Sequence, residues 1–136
     1  MLTQKYINDI AYKIVGCAIE VHKQLGPGLL ENIYERCLKY ELKLNGLKVQ
    51  TQIPVEVIYK SKKIDSDLRL DLLVEDLIIV ELKAVENLLP LFQAQLITYL
   101  KLLKKPKGLL INFNCENITK SLIPIVTEEF SKLPLE

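Results

Sequence analysis

The sequence is poor in the side chains that many kinds of functional site require. It has no tryptophan, one histidine and three cysteines among 136 residues. The lone His22 cannot build a histidine metal site or a Ser-His triad, which excludes several classes of enzyme. Cys17, Cys37 and Cys115 do not have the spacing of zinc ligands, and their odd number argues against a disulfide framework. We expect reduced thiols that are mostly buried.

Long apolar runs and a strong charge imbalance are also missing. No apolar run reaches the roughly 18 residues of a membrane span, and charged residues interrupt positions 1–15, unlike a signal peptide. We therefore expect a cytoplasmic protein that does not associate with membranes. The net charge of +1 neither supports nor excludes a polyanionic partner. Any basic surface must come from lysine clusters such as residues 60–63 and 101–107, which are also typical of turns and helix ends.

The composition and the hydrophobic pattern predict one α/β domain over residues 1–136. Hydrophobic residues make up 49% and charged residues 26% of the chain, as in globular proteins. Helical periodicity covers residues 3–25 and about 30–44, on either side of a Gly-Pro-Gly breaker. Strands are predicted at 47–59, twice within 69–83, at 108–113 and within 118–126, and a helix starts at Pro90. Pro54 indicates an edge strand or a bulge. The order ααβββαβ predicts a mixed sheet flanked by helices.

The apolar segment "RLDLLVEDLIIVELK", residues 69–83, contains charged residues. Burying these charges in so hydrophobic a segment costs free energy. Asp71, Glu81 and Lys83 lie in strands that we expect to be covered on both faces, where an unpaired charge is unfavourable. Glu81 and Lys83 are two residues apart and therefore share a strand face. An ordinary Glu-Lys pair near a strand end, with Asp71 in solvent, is the alternative explanation.

The turn between the two strands decides whether Asp71 joins that face. A two-residue turn at 75–76 would pair residue 71 with residue 80 and put Asp71 and Glu81 on opposite faces. A three-residue turn or a one-residue bulge would pair residue 71 with residue 81 and bring all three charges together. The sequence leaves both arrangements open.

Two carboxylates and a lysine on one face suit metal-assisted hydrolysis of a phosphodiester. Carboxylate oxygens are the ligands that Mg²⁺ prefers, and Mn²⁺ is the other candidate. A divalent ion lowers the pKa of a bound water and stabilises charge on a phosphoryl oxygen. A neighbouring lysine can orient or deprotonate that water and offset the growing negative charge. This chemistry needs no histidine.

These residues resemble the PD-(D/E)XK nuclease superfamily. Asp71 followed by Glu81-Leu82-Lys83 is similar to its strand motif, and "QAQLITYL" resembles the QxxxY helix of its RecB-type members. The segment "GLLENIY", residues 28–34, matches the signature of the GxxExxY protein family, a branch of that superfamily. The resemblance covers about residues 10–115. The proline that usually precedes the aspartate is replaced by Leu70.

The resemblance implies a restriction-endonuclease-like fold and assigns roles to several residues. It implies that Asp71 and Glu81 hold a divalent metal ion and that Lys83 serves catalysis. It also implies that Glu31, at the start of the second helix, is an additional acidic residue of the catalytic site. The helix macrodipole favours any glutamate at that position, so Glu31 has a structural explanation as well.

Four further residues are candidates for a supporting or substrate-binding role. Glu20 lies opposite the apolar stripe of the first helix, where solvent exposure is the simpler explanation, and the resemblance retains it. Tyr34 and Tyr99 are either core aromatics or functional residues. Gln95 lies one turn before Tyr99 on the same helix face. This pair either hydrogen-bonds the lysine or a phosphate, or packs against the sheet.

The expected function is therefore metal-dependent cleavage of nucleic acid, with DNA favoured over RNA. The alternative is a catalytically inactive module that keeps the fold to bind nucleic acid or a protein. A chain of this size offers little surface for selecting a DNA site alone. A homodimer or a helicase-type partner would extend that surface.

Overall fold

The computed structural model describes all 136 residues as a mixed sheet flanked by helices. The elements follow in the order α1 (Gln4–Leu25), α2 (Glu31–Leu44), β1 (Val49–Pro54), β2 (Val57–Tyr59), β3 (Lys62–Ile64), β4 (Arg69–Val74), β5 (Ile78–Lys83), α3 (Pro90–Leu103), β6 (Lys107–Asn112), β7 (Leu122–Val126) and α4 (Glu128–Ser131), with a 3-10 turn at Ile118–Ser121 before β7. None of the helices combines the length and the hydrophobicity that crossing a bilayer requires.

Five strands form the central sheet in the order β1-β4-β5-β6-β7. Strands β5 and β6 are parallel, and the other neighbours are antiparallel. The parallel pair needs a crossover, which α3 supplies. This architecture confirms the expected mixed sheet with flanking helices.

Helices cover both faces of the sheet. Helices α1 and α2 pack on one face against Leu72, Val74 and Val80, whereas α3 packs on the other against Leu73 and Ile79. Because both faces are covered, β5 is buried along nearly its whole length. Any polar side chain in this strand must therefore find a partner or open onto an end of the sheet.

The two ends of the sheet differ. At one end, which we call the open end, β4 begins while β1, β5 and β6 finish, and the N-termini of α2 and α3 lie nearby. At the other, the turn end, residues 75–77 connect β4 to β5 and Asp76 pairs with Lys105. The charged residues of the predicted site lie at the open end.

The predicted strand at 47–59 is wrong in one respect. It is two strands, because the chain leaves the sheet after Pro54 and the last rung joins the Val55 N–H to the Leu68 carbonyl at 2.9 Å. Between these points the chain forms a separate hairpin, β2–β3, that the hydrophobic alternation did not reveal. The position of Pro54 at the end of an edge strand agrees with its missing backbone donor.

Candidate active site

The turn between β4 and β5 has three residues. The pairs Leu72–Val80, Leu73–Ile79 and Val74–Ile78 leave residues 75–77 as the connection. Continuing this register by one pair places Asp71 opposite Glu81. The structure therefore has the second of the two arrangements that the sequence left open, and both carboxylates lie at the open end of the sheet.

The two carboxylates interrupt the backbone ladder between β4 and β5. The N–H of Asp71 donates to Glu81 Oε1 at 3.0 Å, and the N–H of Leu82 donates to Asp71 Oδ2 at 2.8 Å. Each carboxylate thus accepts a hydrogen bond from the opposite strand, in a place where the regular ladder pairing has ended. This exchange fixes the position of both side chains relative to the backbone.

Strand β4 is distorted at Asp71. Leu72 packs on the α1–α2 face and Leu70 on the α3 face, although a regular strand would direct both to the same face. The register with β1 passes from Leu72 to Leu70 without a regular pair at Asp71. Opposite this gap Gln52 has φ 50°, a left-handed conformation that non-glycine residues rarely adopt. Such backbone strain clusters at functional sites.

Burial and mutual repulsion disfavour two negative charges at this position. Burial, followed by the charge of Asp71, raises the pKa of Glu81 to about 8, and a hydrogen bond between the two carboxyl groups adds to the increase. At neutral pH the pair therefore holds a proton in the metal-free protein. Asp71 Oδ1 and Glu81 Oε2 accept no hydrogen bond from a backbone N–H or a cationic side chain. A bound cation would replace the proton and offset the repulsion.

Lys83 lies on the same strand face as Glu81, where α3 covers the sheet. Its Nζ lies 4.3 Å from the centroid of the Phe92 ring, which belongs to the first turn of α3. No carboxylate lies within 4 Å of this ammonium group. The aromatic face therefore orients Lys83 without using its N–H groups, which stay available to another acceptor.

Two glutamates of α2 face the carboxylate pair. Burial raises the pKa of Glu31, the charge of Asp71 raises it further, and Lys83 opposes the increase. Burial also raises the pKa of Glu35, one helical turn later, and the hydrogen bond from Gln52 opposes that increase. The Gln52 amide donates to Glu35 Oε1 at 2.7 Å. Both glutamates therefore belong to the same electrostatic environment as Asp71.

Tyr34 supports the site from the core and does not reach it. Its hydroxyl donates to the Gly26 carbonyl at 2.6 Å and accepts from the Leu29 N–H at 3.1 Å. Its ring is fully buried and stacks on Phe113 at 4.6 Å. These contacts fix the turn that precedes α2, in which Gly28 has φ 102°. Tyr34 thereby determines where α2 begins and where Glu31 lies.

Of the three remaining predicted residues, one lies in the site and two lie outside it. Burial and the nearby charges of Glu81 and Asp71 raise the pKa of Tyr99, which places this half-buried residue beside the carboxylates. Gln95 is exposed on α3. Glu20 accepts a hydrogen bond from Gln24 and lines a groove between α1 and α2. The structure does not bring Glu20 to the carboxylate pair.

Sequence reasoning missed Glu35, Gln52 and Phe92. Glu35 follows Glu31 by four residues, so helical spacing alone places both on one face. Phe92 lies in the first turn of the helix after the lysine, which is a weaker signal. Nothing in the sequence indicates Gln52, because its position depends on the pairing of β1 with β4.

The donor set fits a divalent cation with few protein ligands. No three histidine, cysteine, aspartate or glutamate side chains converge closely enough to hold a metal ion. Asp71 and Glu81 supply two carboxylates, each with one oxygen free of backbone hydrogen bonds. Mg²⁺ commonly binds through one or two carboxylates and retains several water molecules. The pair is therefore suited to such an ion and unsuited to a closed structural metal site.

Comparison with protein families identifies this arrangement. The sequence model of the PD-(D/E)XK nuclease superfamily matches residues 8–123, which include every residue of the site. Neither a curated protein nor a solved structure matched the chain. Nucleases of this superfamily generally depend on divalent metal ions. The match covers most of the chain, and the aspartate, glutamate and lysine converge at the open end of its mixed sheet, so the chain belongs to the PD-(D/E)XK nuclease superfamily.

Proposed function

We propose that this chain hydrolyses phosphodiester bonds in nucleic acid, DNA in preference to RNA, with Mg²⁺ or Mn²⁺ held by Asp71 and Glu81. The observation that carries the proposal is the carboxylate pair, in which each carboxylate is fixed by a backbone N–H and keeps a second oxygen free of such bonds. The superfamily match supports a nuclease, and the fold supports a nucleic-acid substrate. The cation would supply Lewis-acid stabilisation of charge on the phosphoryl oxygens.

The protein's own side chains account for the remaining requirements of the reaction. Water attacks phosphorus and gives a proton to a base, while the bond from phosphorus to the leaving oxygen breaks and that oxygen takes a proton from solvent. Lys83, positioned by Phe92, stabilises the negative charge that grows on the phosphoryl group. Glu31 serves as the proton acceptor, because a carboxylate with a raised pKa is a better base at neutral pH. Tyr99, which lies beside the carboxylates, would contact the substrate from α3.

We also infer that the chain belongs to the GxxExxY branch. Gly28 has positive φ, Glu31 begins α2, and Tyr34 anchors the turn between them, so the three signature positions act as one local unit. We further propose that residues 1–136 form one domain in the cytoplasm. A homodimer or a helicase-type partner would add the nucleic-acid surface that a chain of this size lacks.

The test is a cleavage assay on single- and double-stranded DNA and RNA in Mg²⁺ or Mn²⁺. We expect the wild-type protein to cleave at least one substrate, and EDTA to abolish the reaction. Glu81→Gln should lose cleavage, whereas Glu129→Gln, an exposed glutamate of α4, should retain it. Absence of wild-type cleavage on every substrate, together with retained binding, would favour the inactive binding module instead.

A further inference from the structure

The β2–β3 hairpin stands apart from the rest of the molecule. It forms a two-stranded sheet of its own, and all of its residues except Val57 are exposed. The exposed fractions of Ile58 and Tyr59 are 59% and 62%. These exposed apolar side chains are not stabilised by burial in the protein's own core, and an isolated two-stranded hairpin is only marginally stable in water. The exposed ribbon is therefore available for a partner.

Lysines occupy both faces and the tip of this ribbon. The cross-strand pair Tyr59–Lys62 lies on one face and the pair Ile58–Lys63 on the other. Lys60 lies in the turn, with its Nζ 5.5 Å from the centroid of the Tyr59 ring. The ion pair of Lys63 with Glu56, at 3.7 Å, is largely exposed and contributes little. The ribbon thus presents three cations on different sides.

The hairpin projects from the end of the sheet that carries the site. Leu68, at the last rung before the hairpin, is three residues from Asp71, or about 10 Å along an extended chain. Lys62 is nine residues from Asp71, so the two lie within about 30 Å of each other. One turn of B-form DNA is about 34 Å long. A duplex with a phosphate at Asp71 therefore comes within reach of the hairpin before one helical turn is complete.

The site itself repels the backbone that it is proposed to cleave. Glu31, Glu35, Asp71 and Glu81 share one electrostatic environment, which disfavours a polyanion. Lys83 and a bound cation act at one phosphate only, so cationic side chains outside the site must hold the flanking backbone. The hairpin carries three lysines within four residues at the open end of the sheet.

We propose that the β2–β3 hairpin binds the major groove and phosphate backbone of double-stranded DNA and thereby holds the duplex across the site. The major groove of B-form DNA is about 12 Å wide and admits a two-stranded ribbon, whereas the A-form groove of RNA is too narrow. A single strand has no groove to receive the two faces of the ribbon. This assignment rests on the proposed nuclease function and specifies its substrate as duplex DNA.

The test is binding of a duplex of about 20 base pairs in Ca²⁺, by fluorescence anisotropy, over a series of salt concentrations. The variant K60A/K62A/K63A should weaken binding at least about tenfold and make the slope of log Kd against log salt shallower by about 2 to 3. The matched control K13A/K43A/K101A removes three exposed helical lysines at the turn end and should bind as wild type. Circular dichroism establishes that both variants are folded.

Several results would overturn the assignment. Wild-type affinity in the hairpin variant would do so, as would equal losses on single-stranded DNA or duplex RNA, or no DNA binding by the wild-type protein. A wild-type dimer that becomes a monomer in K60A/K62A/K63A would show that a second copy of the chain occupies the hairpin. If the protein cleaves DNA but its affinity for DNA does not depend on the hairpin lysines, this inference is wrong and the proposed nuclease function stands. If its affinity depends on the hairpin lysines but it cleaves no substrate, the hairpin assignment stands and the proposed nuclease function is wrong.

Discussion

The two hairpins of this protein, β4–β5 and β2–β3, are built in opposite ways. Hairpin β4–β5 lies in the middle of the sheet, and its turn is fastened by the Lys48 N–H, which donates to Glu75 Oε2 at 2.6 Å, and by the ion pair of Asp76 with Lys105 at 2.9 Å. Hairpin β2–β3 lies outside the core and has no such attachment at its tip. The charges of Asp71, Glu81 and Lys83 in the first hairpin are buried or half-buried and therefore costly, whereas the lysines of the second are exposed and cost little.

This difference determines how each charge acts. A charge in a covered strand loses its hydration, so it must be fixed by specific partners and its removal has a large effect. A charge on an exposed ribbon keeps its hydration, so several act together and each contributes a small, graded amount. The following predictions test this contrast, beginning with the largest expected effect.

The first prediction compares Lys83→Met with Lys62→Met. Lys83→Met should lower the rate of cleavage by roughly 10²–10³, because it removes a preoriented charge that acts mainly in the transition state. Its affinity for DNA in Ca²⁺ should change by a few-fold only. Lys62→Met should leave the rate at saturating DNA unchanged and weaken binding slightly. Single-turnover kinetics and anisotropy separate the two effects, and near-normal cleavage by Lys83→Met would refute its catalytic role.

The second prediction concerns pH and metal ions. The pKa of Glu81 is raised from 4.5 to about 8 in the folded protein. As pH rises from about 4.5, the unfolded chain loses this proton and the folded protein keeps it, so the free energy of unfolding falls until about pH 8. The stabilising contribution is therefore complete below pH 4.5 and lost above pH 8. Denaturant unfolding without metal at these two pH values should show the decrease, and Glu81→Gln should reduce it.

Divalent ions should reverse that loss. Saturating Mg²⁺ or Mn²⁺ should stabilise the folded protein at pH 8 by about 1–3 kcal/mol, because the ion binds the ionised carboxylate pair. Glu81→Gln and Asp71→Asn should abolish this gain and raise the stability of the metal-free protein. Glu129→Gln is the matched control and should behave as wild type. A melting temperature that stays the same when either ion is added would contradict the metal site.

The third prediction concerns Phe92, which holds the ammonium group of Lys83. Phe92→Leu should lower the cleavage rate by about 2- to 30-fold, corresponding to a cation–π contribution of about 0.5–2 kcal/mol. Phe92→Tyr keeps the aromatic face and should retain most of the rate. In the background of Lys83→Met, Phe92→Leu should have little further effect on catalysis. An equal loss in both backgrounds would show that Phe92 acts through packing alone.

The smallest expected effect is at the tip of the exposed hairpin. Ser61 has φ 66°, which glycine adopts without strain. Ser61→Gly should stabilise the hairpin by about 0.5–1 kcal/mol. Because the hairpin packs outside the core, this gain should slow hydrogen exchange of hairpin amides without changing the global melting temperature. A rise in the global melting temperature would show that the hairpin unfolds together with the sheet.

Much of the fold could be predicted from the sequence because the signals were local. The Gly-Pro-Gly breaker separated α1 from α2, Pro90 marked the start of α3, and the buried strands appeared as continuous apolar runs. The separate hairpin was missed because its alternation continues that of β1. Only the bond from Val55 to Leu68, thirteen residues apart, shows that the chain has left the sheet.

The sequence by itself singled out the residues that we propose carry the chemistry. An aspartate, a glutamate and a lysine in otherwise apolar strands are costly to bury, so the sequence alone indicated that these three residues have a functional role. The tertiary structure decided what they form together. The three-residue turn sets the register that brings Asp71 to Glu81, and the exchanged backbone hydrogen bonds hold the pair. The packing of α2 and α3 adds Glu35 and Phe92. These contacts join residues that are distant along the chain, and local sequence patterns do not encode such distances.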